Sequence, residues 1–405
     1  MDAAARMEVI DELCSFQGRR AGTDAERRAA NWLAKRVRDG GRRVVVEPIY
    51  VHPQYGLVQA LHCALGFAGS LVAILAPPVG FAMVLVAALS MYLDLNGRFY
   101  LARRLFFRRA SQNVVSPGKR TQASARLFIC AHYDSARSGG VFQPKRVARA
   151  SRLANRLPFP IAPFRVLFWS LAILLPILGA RMAGVDSGLI SLLQLIPTLI
   201  LLIGVFLLAD IELSDVVPGA NDNASGVATA LSLAEELDAE APENLDVWLL
   251  FTGAEEGQME GMRAFFRAHR KSIDRENTYF VVLDAVGSGT VRYETGEGLA
   301  VTYDMDKRLV QLCNAVATAD RENGDRFGAK PLRQAFATDA LPARIAKFRS
   351  TAITCRDDGS LLPANYHRPE DTPKRIDRKA LDRAHDFTLE LVRALDRDVG
   401  RRSAS

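Results

Sequence analysis

Two long apolar regions constrain the fold of this chain more than any other feature of its sequence. No Asp, Glu, Lys or Arg occurs from Pro48 to Leu93, and Pro77 and Pro78 divide this stretch into two halves. A second apolar region runs through 166–180 and 187–209. A helix needs roughly 20 apolar residues to cross a bilayer. The sequence therefore predicts two transmembrane helical hairpins, at 56–96 and, after a basic linker, within 136–212.

The first arm of the second region is short for a membrane span, so an alternative stays open. These segments would then be buried core helices or an interfacial hairpin. A hairpin returns the chain to the side that it left, so the hydrophilic segments can form one domain across 1–405. By the positive-inside rule, the basic flanks place that domain on the cytoplasmic side of a membrane in which the chain is integral. These flanking residues are Arg98, Arg103, Arg104, Arg108, Arg109, Lys145, Arg146, Arg149, Arg152, Arg156 and Arg165.

Charge and cysteine content exclude several other classes of protein. The formal net charge is +7, but the excess lies beside the apolar runs, which indicates a lipid bilayer as partner and not a nucleic acid. The five cysteines are widely spaced and form no CxxC pair, so neither a disulfide framework nor a thiolate zinc cluster is expected. The acidic amino terminus is unlike a cleaved secretory signal. The oligomeric state stays open.

The hydrophilic segments alternate short β-rich runs with amphipathic helices. This alternation predicts an α/β fold with a mixed, mostly parallel sheet flanked by helices. Thr23 and Glu26 form a capping box that starts a helix, which ends at Gly40 and Gly41. Strands are predicted at 43–48, 126–130, 246–252, 279–286 and 350–354, with helices after Gly226, after Gly261 and over 377–395.

Candidate site residues follow the predicted strands, where open α/β sheets place their ligands. The motif AHYDS ends an apolar strand with His132 and brings Asp134 to the same side two residues later. A carboxylate beside a histidine suits a zinc ligand, because it fixes the ring tautomer. A structural histidine in a hydrogen-bonded loop would give the same motif.

Two further motifs add carboxylates. In PGANDNASG, Asp222 projects from a tight turn before a helix, where it could bridge two cations or simply cap the helix. The apolar strand of WLLFTGAEEG ends in Glu255 and Glu256, which repel each other unless a cation or proton compensates. Side chains of neighbouring extended residues diverge, so this pair is interpreted as one general base and one ligand. The alternative is an exposed acidic turn.

Asp284 ends the run YFVVLD, and His367 follows in the loop NYHRPEDT. Either residue alone could be ordinary, because Asp284 could cap or pair with an arginine and His367 could be a surface residue. Taken together, two histidines and three carboxylates at strand and loop ends match the ligand set of a hydrolytic centre with two zinc ions.

These motifs also resemble those of the M28 zinc peptidases. The segments FQGRRAGTDAE, SQNVV, AHYDS, PGANDNASG, FTGAEEG, VVLDAVG and YHRPEDT occur in the order expected of that family. The sequence departs from the family at Asn221, at Met262 and in the long insertion after AHYDS. The resemblance implies the following roles: Asp222 bridges two Zn²⁺ ions, His132 and Asp284 hold one, Glu256 and His367 hold the other, Glu255 is the general base, and Asp134 orients His132.

The resemblance further implies a zinc-dependent aminopeptidase that hydrolyses amino-terminal bonds of peptide substrates. A glutaminyl cyclase-like acyltransferase, or a catalytically inactive membrane receptor or scaffold on the same fold, is the alternative. The inactive scaffold is disfavoured because every matching ligand and Glu255 are present. A transporter is disfavoured because the apolar runs offer few charged or broken segments.

Overall fold

A nine-stranded mixed sheet forms the centre of the protein. The computed structural model describes residues 1–120 and 122–403. The strands run in the order β1-β2-β4-β3-β5-β9-β6-β7, and β8 pairs with β6. They are β1 Val45–Val51, β2 Arg109–Ser116, β3 Ala125–His132, β4 Leu245–Thr252, β5 Thr278–Leu283, β6 Thr290–Glu297, β7 Tyr303–Asp304, β8 Lys330–Arg333 and β9 Arg349–Arg356.

The four central strands, β4, β3, β5 and β9, are parallel to one another. Both flanks of the sheet contain antiparallel pairs, β1 with β2 and β2 with β4 on one side and β6 with β9 and with β7 on the other. The predicted mixed sheet is therefore confirmed. Its parallel pairing is confined to the centre and to the pair of β6 with β8.

Twelve α-helices lie in the described part of the chain. They are α1 Ala3–Ser15, α2 Asp24–Asp39, α3 Tyr55–Val72, α4 Pro77–Leu95, α5 Pro144–Ala154, α6 Pro163–Met182, α7 Gly188–Leu213, α8 Ser225–Ala239, α9 Glu260–His269, α10 Lys307–Glu322, α11 Ala340–Ile345 and α12 Arg378–Ser403. Thr23 caps α2 as predicted, since its side chain accepts a hydrogen bond from the Glu26 amide.

Successive strand residues point to opposite faces of the sheet and enter different cores. Leu127 and Ile129 of β3 pack in a core with α1, α2, α8 and α12. Phe128 and Cys130 of the same strand pack with α9 and α11 on the other face. Helices thus cover both faces of the sheet. The sequence prediction located the central strands but missed β6–β8 and α10.

Four helices, α3, α4, α6 and α7, are long and apolar enough to cross a membrane by length and composition. The first hairpin turns at Pro77, as predicted. The first arm of the second hairpin is longer than the predicted 166–180, because α6 has 20 residues. At 1.5 Å per residue, such a helix spans about 30 Å, which is the thickness of a bilayer core.

The four apolar helices pack against one another and against the sheet domain in a further apolar core. This core joins residues of all four helices to Met259, Leu299, Ala300 and Leu341 of the sheet domain. Small residues allow the helices to approach closely, as is typical of membrane bundles. A Cβ atom on Gly80 of α4 would lie 2.4 Å from the carbonyl oxygen of Gly69 in α3. The bundle is therefore fixed near the carboxyl ends of the central strands.

Candidate metal centre

The carboxyl ends of three of the four central strands, β3, β4 and β5, place candidate ligands side by side. His132 of β3 pairs with Thr252 of β4, and Glu255 follows three residues later. Cys130 of β3 pairs with Val282 of β5, so the same register brings Asp284 opposite His132. Three motifs that lie far apart in the sequence thus meet at one edge of the sheet.

The first group of candidate ligands consists of His132, Asp222 and Asp284. His132 Nε2 lies 3.2 Å from Asp222 Oδ1 and 3.9 Å from Asp284 Oδ1. His132 and Asp222 are almost completely buried, at 2% and 3% exposure. The structure brings these three predicted residues together.

The second group consists of Asp222, Glu256 and His367. His367 Nε2 lies 3.2 Å from Glu256 Oε2 and 3.4 Å from Asp222 Oδ2. The two oxygens of Asp222 therefore face different groups, Oδ1 towards His132 and Oδ2 towards His367. Asp222 is the member that the two groups share.

Glu255 lies beside both groups. Its Oε2 is 4.0 Å from His132 Nε2. Glu255, Glu256 and His132 form a third group of side chains close enough together to hold a metal ion. Thus all seven residues predicted for the site, Glu255 and Asp134 included, lie at this one edge of the sheet.

Asp134 holds the Glu255–Glu256 turn through the backbone. Asp134 Oδ1 accepts a hydrogen bond from the Glu255 amide and Oδ2 accepts one from the Glu256 amide, each at 3.1 Å. Asp134 Oδ1 also lies 3.5 Å from His132 Nδ1. One buried carboxylate therefore positions a histidine and two glutamates.

Asp371 holds the loop of Asp222 in a similar way. Asp371 Oδ1 and Oδ2 accept hydrogen bonds from the amides of Asn221 and Asp222, at 2.8 and 3.1 Å. The sequence prediction missed this role, although Asp371 belongs to the motif YHRPEDT that supplied His367. Asp339 was also missed. It is buried at the same site and accepts a hydrogen bond from Thr252 Oγ1.

Backbone strain is concentrated at the site. Ala254, Ala285 and His367 have φ angles of 53°, 52° and 53°, in the left-handed region that residues other than glycine seldom adopt. Buried side chains hold two of them, because Glu26 Oε1 accepts the Ala254 amide and Asn223 Oδ1 accepts the Ala285 amide. Such strain is typical of functional sites, where surrounding contacts impose it.

The donor set fits divalent zinc. Asp222 Oδ2, Glu256 Oε1 and both ring nitrogens of His367 are buried and have no hydrogen-bond partner among the described residues. Two ligands of a tetrahedral zinc ion lie roughly 3.3 Å apart, given metal–ligand distances near 2.0–2.1 Å. His367 Nε2 lies 3.4 Å from Asp222 Oδ2 and 3.2 Å from Glu256 Oε2, so these three atoms have the separations expected of ligands of one zinc ion.

The electrostatics of the site also indicate a deficit of positive charge. Burial raises the pKa of Glu255, Glu256 and Asp284, although the neighbouring histidines counteract the rise. Burial lowers the pKa of His367, but Glu256 and Asp222 outweigh that effect and raise it to about 10. Divalent cations would supply the charge that this cluster of carboxylates requires.

The fold is similar to that of zinc exopeptidases, as comparison with solved structures shows. A zinc aminopeptidase from Bacillus subtilis has a TM-score of 0.54 at 14% identity, with 96% of this chain and 94% of that chain covered. A leucine aminopeptidase precursor from Bacteroides thetaiotaomicron has a TM-score of 0.54 at 15% identity, with 97% of each chain covered. A glutaminyl cyclase from the same organism, bound to N-acetylhistamine, has a TM-score of 0.55 at 14% identity, again with 97% of each chain covered.

A sequence comparison identifies a similar family. The model of Peptidase family M28 matches residues 208–392, so this part of the chain is similar to that family. The matched segment contains Asp222, Glu255, Glu256, Asp284 and His367, whereas His132 lies before it. No curated protein matches the chain.

Proposed function

We propose that this protein is a membrane-anchored, zinc-dependent aminopeptidase with two metal ions. The observation that carries the proposal is that Asp222 is shared by two groups of three ligands, one completed by His132 and Asp284 and the other by Glu256 and His367. A shared carboxylate between two nitrogen and oxygen ligand sets is the arrangement that a two-metal hydrolytic site needs.

When bound, zinc supplies a Lewis acid that polarises a scissile carbonyl and lowers the pKa of bound water. Side chains of the protein transfer the proton and position the reacting groups. Glu255 accepts a proton from the attacking water at its carboxylate and donates it to the departing amine. Asp134 positions this base, because it accepts the backbone amides of Glu255 and Glu256. Asp371 fixes the shared ligand Asp222 through its amide.

The domain organisation belongs to the same proposal. One hydrolase domain spans 1–405 and is interrupted by the hairpin 56–96 and by the segment 136–212, which contains a basic linker and the second hairpin. Arg103, one of the predicted flanking cations, is completely buried between Asp94 and Glu260, so it contributes to the hairpin contact and not to a lipid-facing charge. The cations of α5, such as Arg149, are exposed and still favour a cytoplasmic position of the domain.

The orientation can be tested with single cysteines and an impermeant maleimide in intact cells. Gly184→Cys, in the turn of the second hairpin, should be labelled from outside, whereas Arg149→Cys should require permeabilised cells. The reverse pattern would overturn the cytoplasmic orientation.

The catalytic proposal can be tested with Glu255→Gln and Glu256→Gln. We expect Glu255→Gln to retain its zinc and to lose roughly 10²–10⁴-fold in turnover, because only the general base is removed. We expect Glu256→Gln to lose zinc as well. Zinc per chain by mass spectrometry, together with hydrolysis of amino-acid amides and of amino-terminally blocked peptides, measures both effects.

Three results would contradict the proposal. Full hydrolysis by zinc-loaded Glu255→Gln would exclude this residue as the base. Loss of ammonia from amino-terminal glutamine, with a cyclic product and one zinc per chain, would favour the glutaminyl cyclase alternative. Zinc-loaded protein that cleaves nothing in the panel would favour the inactive receptor or scaffold.

A further inference from the structure

A cavity of about 390 Å³ connects the candidate metal centre to the second hairpin. Glu255, Glu256 and His367 line its inner end, and α6 and α7 form its outer wall. Most of the side chains that line it are apolar. A separate cavity of about 420 Å³ beside α5 is lined by none of the site carboxylates. Of these two cavities, the apolar one reaches the reacting groups.

The cavity extends far along α7. The residues of α7 that line it run from Ile200 to Ile211. At 1.5 Å per residue, this distance along the helix is about 16 Å. The acids Asp210 and Glu212 lie at the inner end, whereas the sequence between Ile200 and Leu208 carries no charge. The outer part of the cavity thus lies at the depth of the hydrocarbon layer that α7 would cross.

The outer part of the cavity is open between α6 and α7. Ile203 of α7 is 56% exposed and Val166 of α6 is 39% exposed, and both line the cavity. The neighbouring Phe206, which does not line it, is 68% exposed on the same helix. In a membrane, a surface of this kind faces lipid. A substrate could therefore reach the metal centre from the bilayer without first entering water.

One polar group in the cavity indicates the chemistry of its occupant. Gln258 lines the cavity and is buried. Its Oε1 accepts hydrogen bonds from Arg103 and Gln59, which fixes the amide orientation. Its Nε2 has no partner among the described residues. A buried, oriented amide donor requires an acceptor, and a peptide carbonyl supplies one.

The geometry points to an apolar peptide as the substrate, with its amino-terminal bond at the metal centre and its apolar side chains in the cavity between α6 and α7. This inference rests on the proposed peptidase function and adds the substrate class and the route of entry. About 16 Å of cavity accommodates roughly five extended residues, at about 3.3 Å each. Peptides derived from membrane-spanning segments have the required apolarity.

The first experiment fills the cavity. Ile203→Trp places a larger side chain in the open wall, whereas Phe206→Trp makes a similar change on the same helix outside the cavity. The protein in liposomes is given leucine amide and a ten-residue apolar peptide that begins with leucine. We expect Ile203→Trp to lower kcat/KM for the apolar peptide by roughly tenfold or more, and to lower it much less for leucine amide, which is too short to reach Ile203. Phe206→Trp should change neither, and zinc content should be equal in all three proteins.

The second experiment measures binding without turnover. An apolar peptide with a reduced first peptide bond and a benzophenone on its fourth residue is photocrosslinked to the protein. Wild type and Phe206→Trp should be labelled on α6 or α7, and Ile203→Trp should not. If Ile203→Trp hydrolysed both substrates as fast as wild type, the inference would be overturned while the peptidase proposal stands. Labelling outside α6 and α7 would have the same consequence.

The remaining outcomes separate the two proposals. Labelling of α6 or α7 without hydrolysis of any substrate would support the apolar peptide site and contradict the peptidase function. If a fatty-acyl amide with the same photoreactive group labelled α6 or α7 and the apolar peptide did not, the assignment of a peptide as occupant would be overturned.

Discussion

Arg103 and Asp94 form a completely buried ion pair between the first hairpin and the sheet domain, with Arg103 Nε 2.7 Å from Asp94 Oδ2. Arg103 Nη1 also lies 2.5 Å from Glu260 Oε1, at the start of α9. Burial lowers the pKa of Arg103, but Asp94 and Glu260 outweigh that effect and raise it above its ordinary value. Arg103 thus links Asp94, at the end of α4, to Glu260, which lies just after the Glu255–Glu256 turn.

We expect Arg103→Met to destabilise the protein by about 3–5 kcal/mol, because it leaves two carboxylates buried without a cation. Thermal unfolding in detergent measures the loss. Lys35→Ala, which removes the exposed pair with Asp39 on α2, is the control and should leave the melting temperature nearly unchanged. Equal melting temperatures for wild type and Arg103→Met would show that the buried pair does not hold the hairpin.

The close approach of α3 and α4 gives a second prediction. A Cβ on Gly80 would lie 2.5 Å from the backbone nitrogen of Ala73, so Gly80→Ala must separate the two helices. We expect a loss of about 1–3 kcal/mol in the free energy of unfolding. Gly179→Ala in α6, where the added Cβ meets nothing within 4 Å, should be neutral or slightly stabilising. Similar melting temperatures for the two variants would contradict this packing.

Asp134 should control metal affinity without binding metal itself. Asp134→Asn replaces an acceptor oxygen by an NH₂ group, which cannot accept both backbone amides of Glu255 and Glu256. We expect zinc affinity to fall by roughly 10–100-fold, and excess zinc to restore part of the activity. Competition with a zinc chelator measures the affinity. Asp246→Asn is the control, because Asp246 also accepts a backbone amide but lies at the opposite end of β4. A drop in turnover at saturating zinc, with unchanged affinity, would assign Asp134 a different role.

Glu294 should make the stability of the fold depend on pH. Burial raises its pKa from 4.5 to about 8, although Arg356 opposes the rise. The folded state then keeps a proton that the unfolded chain releases. The stabilisation is therefore complete below pH 4.5 and is lost as the pH rises towards 8, by at most about 1.4 kcal/mol per pH unit.

The variant Glu294→Gln has no ionisable group at this position. We therefore expect its melting temperature to fall less between pH 6 and pH 8 than that of wild type. Glu322→Gln, at the exposed end of α10, should keep the wild-type dependence. Parallel curves for all three proteins would show that Glu294 is ionised in the folded state throughout this range.

The amino-acid sequence by itself determined the class of fold, the two apolar hairpins and the residue types of the site. These follow from local patterns, because period, apolarity and turn residues act over a few neighbours. Glu255 and Glu256 stand out because two acids at the end of a buried strand require compensation. The strands β6–β8, on one flank of the sheet, have weaker patterns, since their stability depends on pairing and not on local preference.

Only the tertiary structure decided which atoms meet. The strand register brings Asp284 opposite His132, and the chain folds back over 145 residues to place His367 beside Asp222. The supporting roles of Asp371 and Arg103, and the cavity that joins α7 to Glu255, arise from contacts between distant segments. A carboxylate acquires such a role from the distant groups that surround it, because burial and charge are properties of the packed chain and not of its sequence neighbours.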